Sequence, residues 1–453
     1  MEDASRSTHL GSTELAIAVC SPCGRKRVAV VGPRKFLMQA TLLPTTSVNP
    51  TEVQPSEKPP QRDHYFDNAR AVLLLFVIAL HTKHLFGCPV FPIDQLILGL
   101  VFVVMPGFCF LSGHLSASTL TKPRVARLLI MLLVLLNFNS MYLFEIKYGS
   151  VAALSIVNAS HIKLDNTTRP TLEALITAAD APMVPFDVLS ERNVTWFLLG
   201  LIVWRATLPA LLLLRWPLAI STLVAVVAPF TGVGASSIST VFGFWPFFVA
   251  GHLCSRARIE AVRVSLRVRV AFVAALLLIA ALAAVPATAK GAAAAVVPTV
   301  VCLYGEGFAG VAAGGAVDCS SWPAVLAIVV GYPVCVCALL GFLSLVPRRR
   351  IAGLSLAGRL SIYGYLLHPL IVFNPLVSLG TGLLVARIGC AAGAALYVVA
   401  FVAVWGLFSS PLARLLCWPC IEPPVARVCC TKDALAGADA AAEAPAPSER
   451  ALQ

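Results

Sequence analysis

The sequence predicts an all-α fold, a polytopic membrane helix bundle of about ten transmembrane helices, and three observations carry that prediction. Hydrophobic residues fill 58% of the 453 positions and charged ones only 12%, with a mean hydropathy of +0.85, a balance too apolar for a soluble globular chain. Several apolar runs reach the roughly 20 residues that a bilayer crossing needs. The Lys and Arg residues behind the net charge of +12 sit in short clusters beside those runs, which is the positive-inside pattern and not the continuous basic surface of a nucleic-acid binder. Most of the 14 Cys residues lie inside apolar runs, where Cys behaves as a small hydrophobe, so they make no disulfide framework and define no redox compartment.

Residues 1–61 mix Pro, Ser and Thr with basic groups such as Arg25-Lys26-Arg27 and Arg34-Lys35, and read as a flexible cytosolic lead. Glu2 and Asp3 argue against a secretory n-region, and the apolar pieces at 15–19 and 28–31 are too short to span; an organelle transit peptide is the alternative. The membrane domain is assigned to 62–412 and a disordered cytosolic tail to 413–453.

The first predicted helix, about 66–90, carries Asp67, Arg70, His81, Lys83 and His84 in an otherwise apolar run. At about 100° per residue, the steps from Arg70 to His81 make about three turns with roughly 20° left over, so both project from one face, with Asp67 one turn before Arg70. The helical rise sets His81 about 16 Å deeper than Arg70, near mid-bilayer if Arg70 marks the boundary. An ionisable group at that depth costs several kcal/mol unless it faces a protein interior or a watery cavity, which makes it a functional candidate.

The second helix, about 95–113, is kinked at Pro106 and rich in small residues that allow close helix approach. The third opens at Thr121-Lys122-Pro123-Arg124-Val125-Ala126-Arg127, where Arg124 and Arg127 share a face one turn apart and can grip one phosphate-bearing ligand; the plainer reading is topological, a basic cytosolic helix end. It runs to about 142, and a polar segment over 145–192 with sequons at Asn158 and Asn166, followed by one at Asn193 too close to the membrane for use, agrees with a lumenal side after three crossings. Helices at 195–214, 218–233 and 238–254 return the chain to Arg256, Arg258, Arg263, Arg267 and Arg269, assigned to the cytosol. Helices at 270–285 and 322–346 lead to Arg348-Arg349-Arg350; an additional span at 292–313 would invert those arginines, so that Gly- and Pro-broken piece is read as re-entrant or lumenal. The last two helices are placed at 356–377, with Tyr363, Tyr365 and His368, and at 383–408. Cys417, Cys420, Cys429 and Cys430 follow as unmodified thiols, with palmitoylation and zinc binding as alternatives.

Asp67-Asn68-Ala69-Arg70 followed by His81, then residues 105–113 ending in Phe110-Leu111-Ser112-Gly113, then Arg124-x-x-Arg127, resembles the acyltransferase 3 family of integral membrane O-acyltransferases. Thr195-Trp196-Phe197, Trp245-Pro246-Phe247 and Tyr363-Gly364-Tyr365-Leu366-Leu367-His368-Pro369 resemble its later landmarks in the expected order, so the likeness spans roughly 65–412. The resemblance implies acyl-coenzyme A as the donor substrate with no tightly bound cofactor and no metal. It implies Arg124 and Arg127 on the donor phosphates at the cytosolic face, and His81 as the base with Arg70 and Asp67 beside it. Imidazole suits that role because it titrates near neutral pH. His84, Trp196, Tyr363 and His368 are further cavity candidates, with Lys83, His114 and His252 able to line the cavity or to face interfaces. No soluble serine-esterase-like domain follows the last helix, as in glucan- or carbohydrate-modifying members, so a carbohydrate hydroxyl is the leading acceptor, with lipid and small-molecule hydroxyls as alternatives. The expected partners are the donor, that acceptor and membrane lipid, without nucleic acid. The competing class is a proton-coupled transporter using the same His, Arg and Asp groups, but the chain shows no inverted repeat. A non-enzymatic scaffold leaves the polar groups an unexplained cost.

Overall fold

The computed structural model describes residues 63–86, 91–159, 195–228, 237–283 and 322–422. The chain divides into two units, Met1–Lys58 and Pro59–Gln453, and every described residue belongs to the second. The expected lead at 1–61, the piece at 292–313, Asn166, Asn193, Cys429 and Cys430 lie outside the described residues.

Among the described residues all regular structure is helical. The elements in order are α1 (His64–Thr82), a 3-10 turn (Lys83–Leu85), α2 (Phe91–His114), α3 (Lys122–Ala159), α4 (Trp196–Leu212), α5 (Pro217–Val227), α6 (Ser237–Leu253), α7 (Arg256–Val264), α8 (Leu266–Ala283), α9 (Trp322–Leu345), α10 (Ala352–Arg359), α11 (Ser361–Leu367), α12 (Pro369–Val372), α13 (Pro375–Ile388), α14 (Cys390–Phe408) and α15 (Pro411–Ile421).

The first helix is the hub. It packs against α2, α10, α11 and α14, and Leu73, Leu74 and Ile78 are fully buried between those neighbours. A helix that is apolar on most sides, as this one is, finds its lowest energy inside a bundle. Aromatic hydroxyl and indole groups then donate to the backbone carbonyls of neighbouring helices: Tyr65 to Leu343 (2.7 Å), Tyr397 to Ala79 (2.9 Å), Trp405 to Ala71 (3.2 Å), Trp204 to Val241 (2.9 Å) and Tyr332 to Gly243 (2.6 Å). With no water in hydrocarbon, such tips must find protein acceptors. The seam between α2 and α6 is closer still. A Cβ on Gly113 would overlap the Phe248 carbonyl oxygen, and one on Gly251 would overlap the Phe110 carbonyl oxygen, so the two backbones touch reciprocally where side chains are absent.

By length and apolar composition α1, α3 and α14 can each cross a membrane, and two bent pairs raise the number among the described residues to as many as five. Those pairs are α6 with α7, bent by 96°, and the α11–α12 stretch with α13, bent by 65°. The described apolar parts of α2, α4, α5, α9 and α15 are shorter, at 10–17 residues. This is a multi-pass membrane bundle.

Local boundaries differ from the sequence expectation in four places. The first helix ends at Thr82 and tightens into the 3-10 turn, because Gly87 and Pro89 ahead oppose further α-helix. The third does not stop near 142: α3 has 38 residues, and Glu145 continues it because its carboxylate finds a partner in Asn374. The helix expected at 356–377 is instead α10 to α13, interrupted where Pro369 and Pro375 lack the N–H that helix continuation requires. Finally, the tail expected to be disordered from 413 begins inside α15, whose N-cap Ser410 accepts from Ala413 N at 3.3 Å.

Both basic segments converge at one end of the bundle, beside the start of α1. Arg256 pairs with Asp63 at 2.6 Å, Arg348 with Glu260 at 3.6 Å, and the Pro347 and Arg349 carbonyls accept from Asn68. At the other end of α1, Leu85 and Phe86 cluster with Val385 and Tyr397, close to where Gly389, at φ 79°, turns the chain from α13 into α14. Cys390 opens α14 there and is disulfide-bonded, one bond where the sequence reading expected no disulfide framework. Cys109, Cys254, Cys335, Cys337, Cys417 and Cys420 are free.

Candidate active site

The polar stripe on α1 begins where Asp63 caps the helix by accepting from Tyr65 N at 3.0 Å. Asp67 is 3% exposed, and its carboxylate lies 3.8 Å from the half-exposed Arg70 guanidinium, one turn on. The backbone of α10 presses on this turn, since a Cβ on Gly358 would overlap the Asp67 carbonyl oxygen. Asn68, fully buried, locks the contact from both sides. Its Nδ2 donates to the Pro347 and Arg349 carbonyls at 2.8 and 3.0 Å, and its Oδ1 accepts from Ser355 Oγ at 2.7 Å.

Three turns deeper, His81 is half-buried in the last turn of α1. Its ring centroid lies 5.3 Å from that of His368 and 5.3 Å from that of Phe373, the latter edge-on. His368 is fully buried between α11 and α12, with Nδ1 3.0 Å from the Gly364 carbonyl. A carbonyl can only accept, so Nδ1 is the protonated nitrogen in that contact and the neutral ring keeps its lone pair on Nε2. Nε2 is buried without a hydrogen-bond partner among the described residues. Such a group costs about 1–3 kcal/mol and needs a reason to be kept. Two imidazoles far apart in sequence thus meet ring against ring.

The remaining candidates scatter around this pair. Trp196 stacks on Phe244 at 5.3 Å and 29°, in the seam of α4 with α6, and meets Phe197 edge-on. Phe197 carries the wall onward to Tyr365 at 5.5 Å, whose ring is 6.1 Å from His368. Tyr363 is fully buried in α11, and its hydroxyl has no hydrogen-bond partner among the described residues. His114 and His252 cross-tie the ends of α2 and α6 by hydrogen bonds to the Cys254 and Ser116 carbonyls, at 3.0 and 3.1 Å, which is an interface role. Lys83 is half-buried in the 3-10 turn; the His84 side chain lies outside the described residues.

Arg124 and Arg127 differ in their surroundings. Arg124 folds back on its own loop, donating to the Thr119 carbonyl and hydroxyl at 2.7 and 2.6 Å, whereas Arg127 is exposed on the next turn. Sequence spacing puts two guanidiniums on one face but does not choose their rotamers.

Three residues that the sequence did not single out, Asn374, Glu145 and Tyr142, bond to segments flanking the histidine pair. Asn374 follows Phe373 and donates from Nδ2 to Glu145 Oε1 at 2.7 Å, while its Oδ1 caps α13 by accepting from Leu376 N and Val377 N at 3.0 and 3.1 Å. One turn before Glu145, the Tyr142 hydroxyl donates to the Leu366 carbonyl, two residues before His368. That i,i+3 spacing on an unbroken α3 was the available signal, hidden by reading Glu145 as the head of a loop. Among the described residues no group of three or more His, Cys, Asp or Glu is arranged to hold a metal ion.

None of the curated proteins and none of the solved structures compared with the chain matches it. A family model, described as an acyltransferase domain, matches residues 63–409, from the N-cap of α1 to the end of α14. That stretch takes in Asp67, Arg70, His81, Arg124, Arg127 and His368, and covers well over half of the chain. The chain belongs to the acyltransferase 3 family, whose members transfer acyl groups other than aminoacyl groups.

Proposed function

We propose that the protein moves an acyl group from acyl-coenzyme A to a hydroxyl, with a carbohydrate as the leading acceptor and His81 as general base. The observation that carries this reading is the pairing of His81, on the polar stripe of α1, with the fully buried His368. In the step envisaged, His81 takes the hydroxyl proton as the oxygen attacks the thioester carbonyl; the carbon–sulfur bond then breaks, and the proton passes from His81 to the leaving thiolate. His368, held by Gly364, keeps the His81 ring in place.

Distance supports the donor assignment. Arg70 and His81 are separated by about 16 Å along α1. The pantetheine arm, about 13 bonds from phosphorus to sulfur at roughly 1.2 Å each, also extends about 16 Å. Phosphates held near Arg70 and Arg127 would therefore deliver the thioester to His81. On the acceptor side, Asn374 and Glu145 offer an amide and a carboxylate next to Phe373, groups that suit a hydroxyl-bearing ligand.

The basic end of the bundle is taken as cytosolic, with both chain termini on that side and about ten crossings in the whole chain. A disulfide at Cys390, on the opposite end, fits a more oxidising compartment there.

The test incubates the purified full-length protein in nanodiscs with labelled acetyl-coenzyme A and a panel of glycans. His81→Ala should lower turnover about 10²- to 10⁴-fold while leaving donor binding near wild type. Label transfer that survives this substitution removes His81 from the base role.

A further inference from the structure

Arg205 has no part in the chemistry described so far. It is the one charged residue in the 17-residue sequence of α4, WFLLGLIVWRATLPALL, and a guanidinium in such a helix is expensive unless it faces the bundle interior and finds polar or charged company. Its company is unusual. Nε donates to Ser116 Oγ at 3.3 Å and one terminal nitrogen lies 3.5 Å from Met131 Sδ, both neutral groups. Among the described residues no carboxylate is in ion-pair range of Arg205 or of Arg127. The charges that act on Arg205 are those of Arg70 and Arg127, both positive. Met131 sits one turn beyond Arg127 on α3, so the contact with its sulfur brings Arg205 alongside the face that carries Arg127.

The Met131 contact sets Arg205 of α4 beside the α3 face that carries Arg127, and Arg70, 3.8 Å from Asp67 on α1, adds a third positive charge felt by Arg205. Like charges repel even where water partly screens Arg70 and Arg127, and a multivalent anion joining them relieves that repulsion. We propose that Arg205 is the third arm of an anion site, with Arg70 and Arg127, that takes a phosphate group. Planar arginine forks match phosphate oxygens bidentately, and two forks from α3 and α4 would grip one group from two sides. Arg124, bonded to Thr119, stays outside this set. The proposal rests on the acyl-coenzyme A reading for the source of the phosphate, and an anionic lipid headgroup offers the same chemistry.

The experiment titrates coenzyme A into the full-length protein in phosphatidylcholine nanodiscs by calorimetry, and separately counts phosphatidic acid bound to the protein by native mass spectrometry. Arg205→Ala should weaken coenzyme A binding about 10- to 100-fold, and Arg205→Lys by a smaller factor, because the charge remains and the fork is lost. Arg215→Ala, at an exposed cation beyond the end of α4, should change nothing. Coenzyme A binding that is equal in wild type and Arg205→Lys overturns the proposal and leaves the donor reading standing; this comparison decides even if the alanine variant does not fold. No coenzyme A binding by wild type, with phosphatidic acid bound in an Arg205-dependent way, keeps the anion site, assigns it to lipid and removes the donor reading. Absence of both overturns both.

Discussion

Asn68→Ala offers a quantitative test of how the start of α1 is held. The side chain is fully buried and makes three hydrogen bonds, to Pro347 O (2.8 Å), to Arg349 O (3.0 Å) and from Ser355 Oγ (2.7 Å). At about 0.5–1.5 kcal/mol net for each, the loss spans roughly 1.5–4.5 kcal/mol. The Pro347 and Arg349 contacts are only partly buried, and water can replace part of what they lose, so the lower half, about 1.5–3 kcal/mol, is expected. Ser355 retains one partner, because its Oγ also accepts from Ile351 N at 3.2 Å. Since Asn68 lies between Asp67 and Arg70, loosening it should also raise the apparent KM for the donor more than it lowers kcat. The assay is reversible denaturation of the purified protein in mixed micelles, run as a double-mutant cycle with Ser355→Ala. Non-additivity of the two changes is the signature of the shared bond. An Asn68→Ala protein within about 0.5 kcal/mol of wild type, or full additivity with Ser355→Ala, would refute the reasoning, since distant independent sites add to that precision.

Other outcomes test separate parts of the structure. Gly251→Ala drives a methyl into the Phe110 carbonyl and must part α2 from α6, at a cost of about 1–3 kcal/mol that a thermal melt would register; an unchanged melt would deny the backbone contact. Asn374→Ala removes the α13 cap and the Glu145 bond together, which should cost about 0.5–2 kcal/mol for the cap alone and raise the acceptor KM, read from acceptor saturation curves. On α7, beyond the 96° bend from α6, Glu260 is held below the usual carboxylate range, first by its hydrogen bond to Arg263 and then by the charges of Arg263 and Arg348. A depressed folded pKa means that this contribution is present above the ordinary glutamate range and is lost as pH falls through the lower folded value. Glu260 is 44% exposed, so Glu260→Gln should cost no more than about 1 kcal/mol at neutral pH, and the two proteins should converge in melts taken under acid conditions.

Composition and charge placement were enough to establish the membrane class and the helical architecture, because a bilayer admits few alternatives: every backbone polar group must be satisfied within the segment, and an apolar run of sufficient length has few other fates. The face shared by Asp67, Arg70 and His81 was equally legible, since helical periodicity fixes azimuth within one helix. Helix ends were harder to place. Glu145 reads as a loop residue until Asn374, far along the chain, supplies its partner, and the breaks at Pro369 and Pro375 pass for one continuous span when only hydropathy is counted.

Local pattern thus determined what kind of molecule this is and which face of its first helix carries the polar stripe. Which groups meet was decided by the tertiary structure alone. The contact of His81 with His368, the engagement of Arg124 by Thr119, and the contact of Arg205 with Met131 all depend on how separate segments dock and which rotamers survive that docking. Periodicity relates residues along one helix but carries no information about the rotation of one helix against another. That rotation is set by contacts such as the Gly113–Phe248 and Gly251–Phe110 seam, where backbone meets backbone.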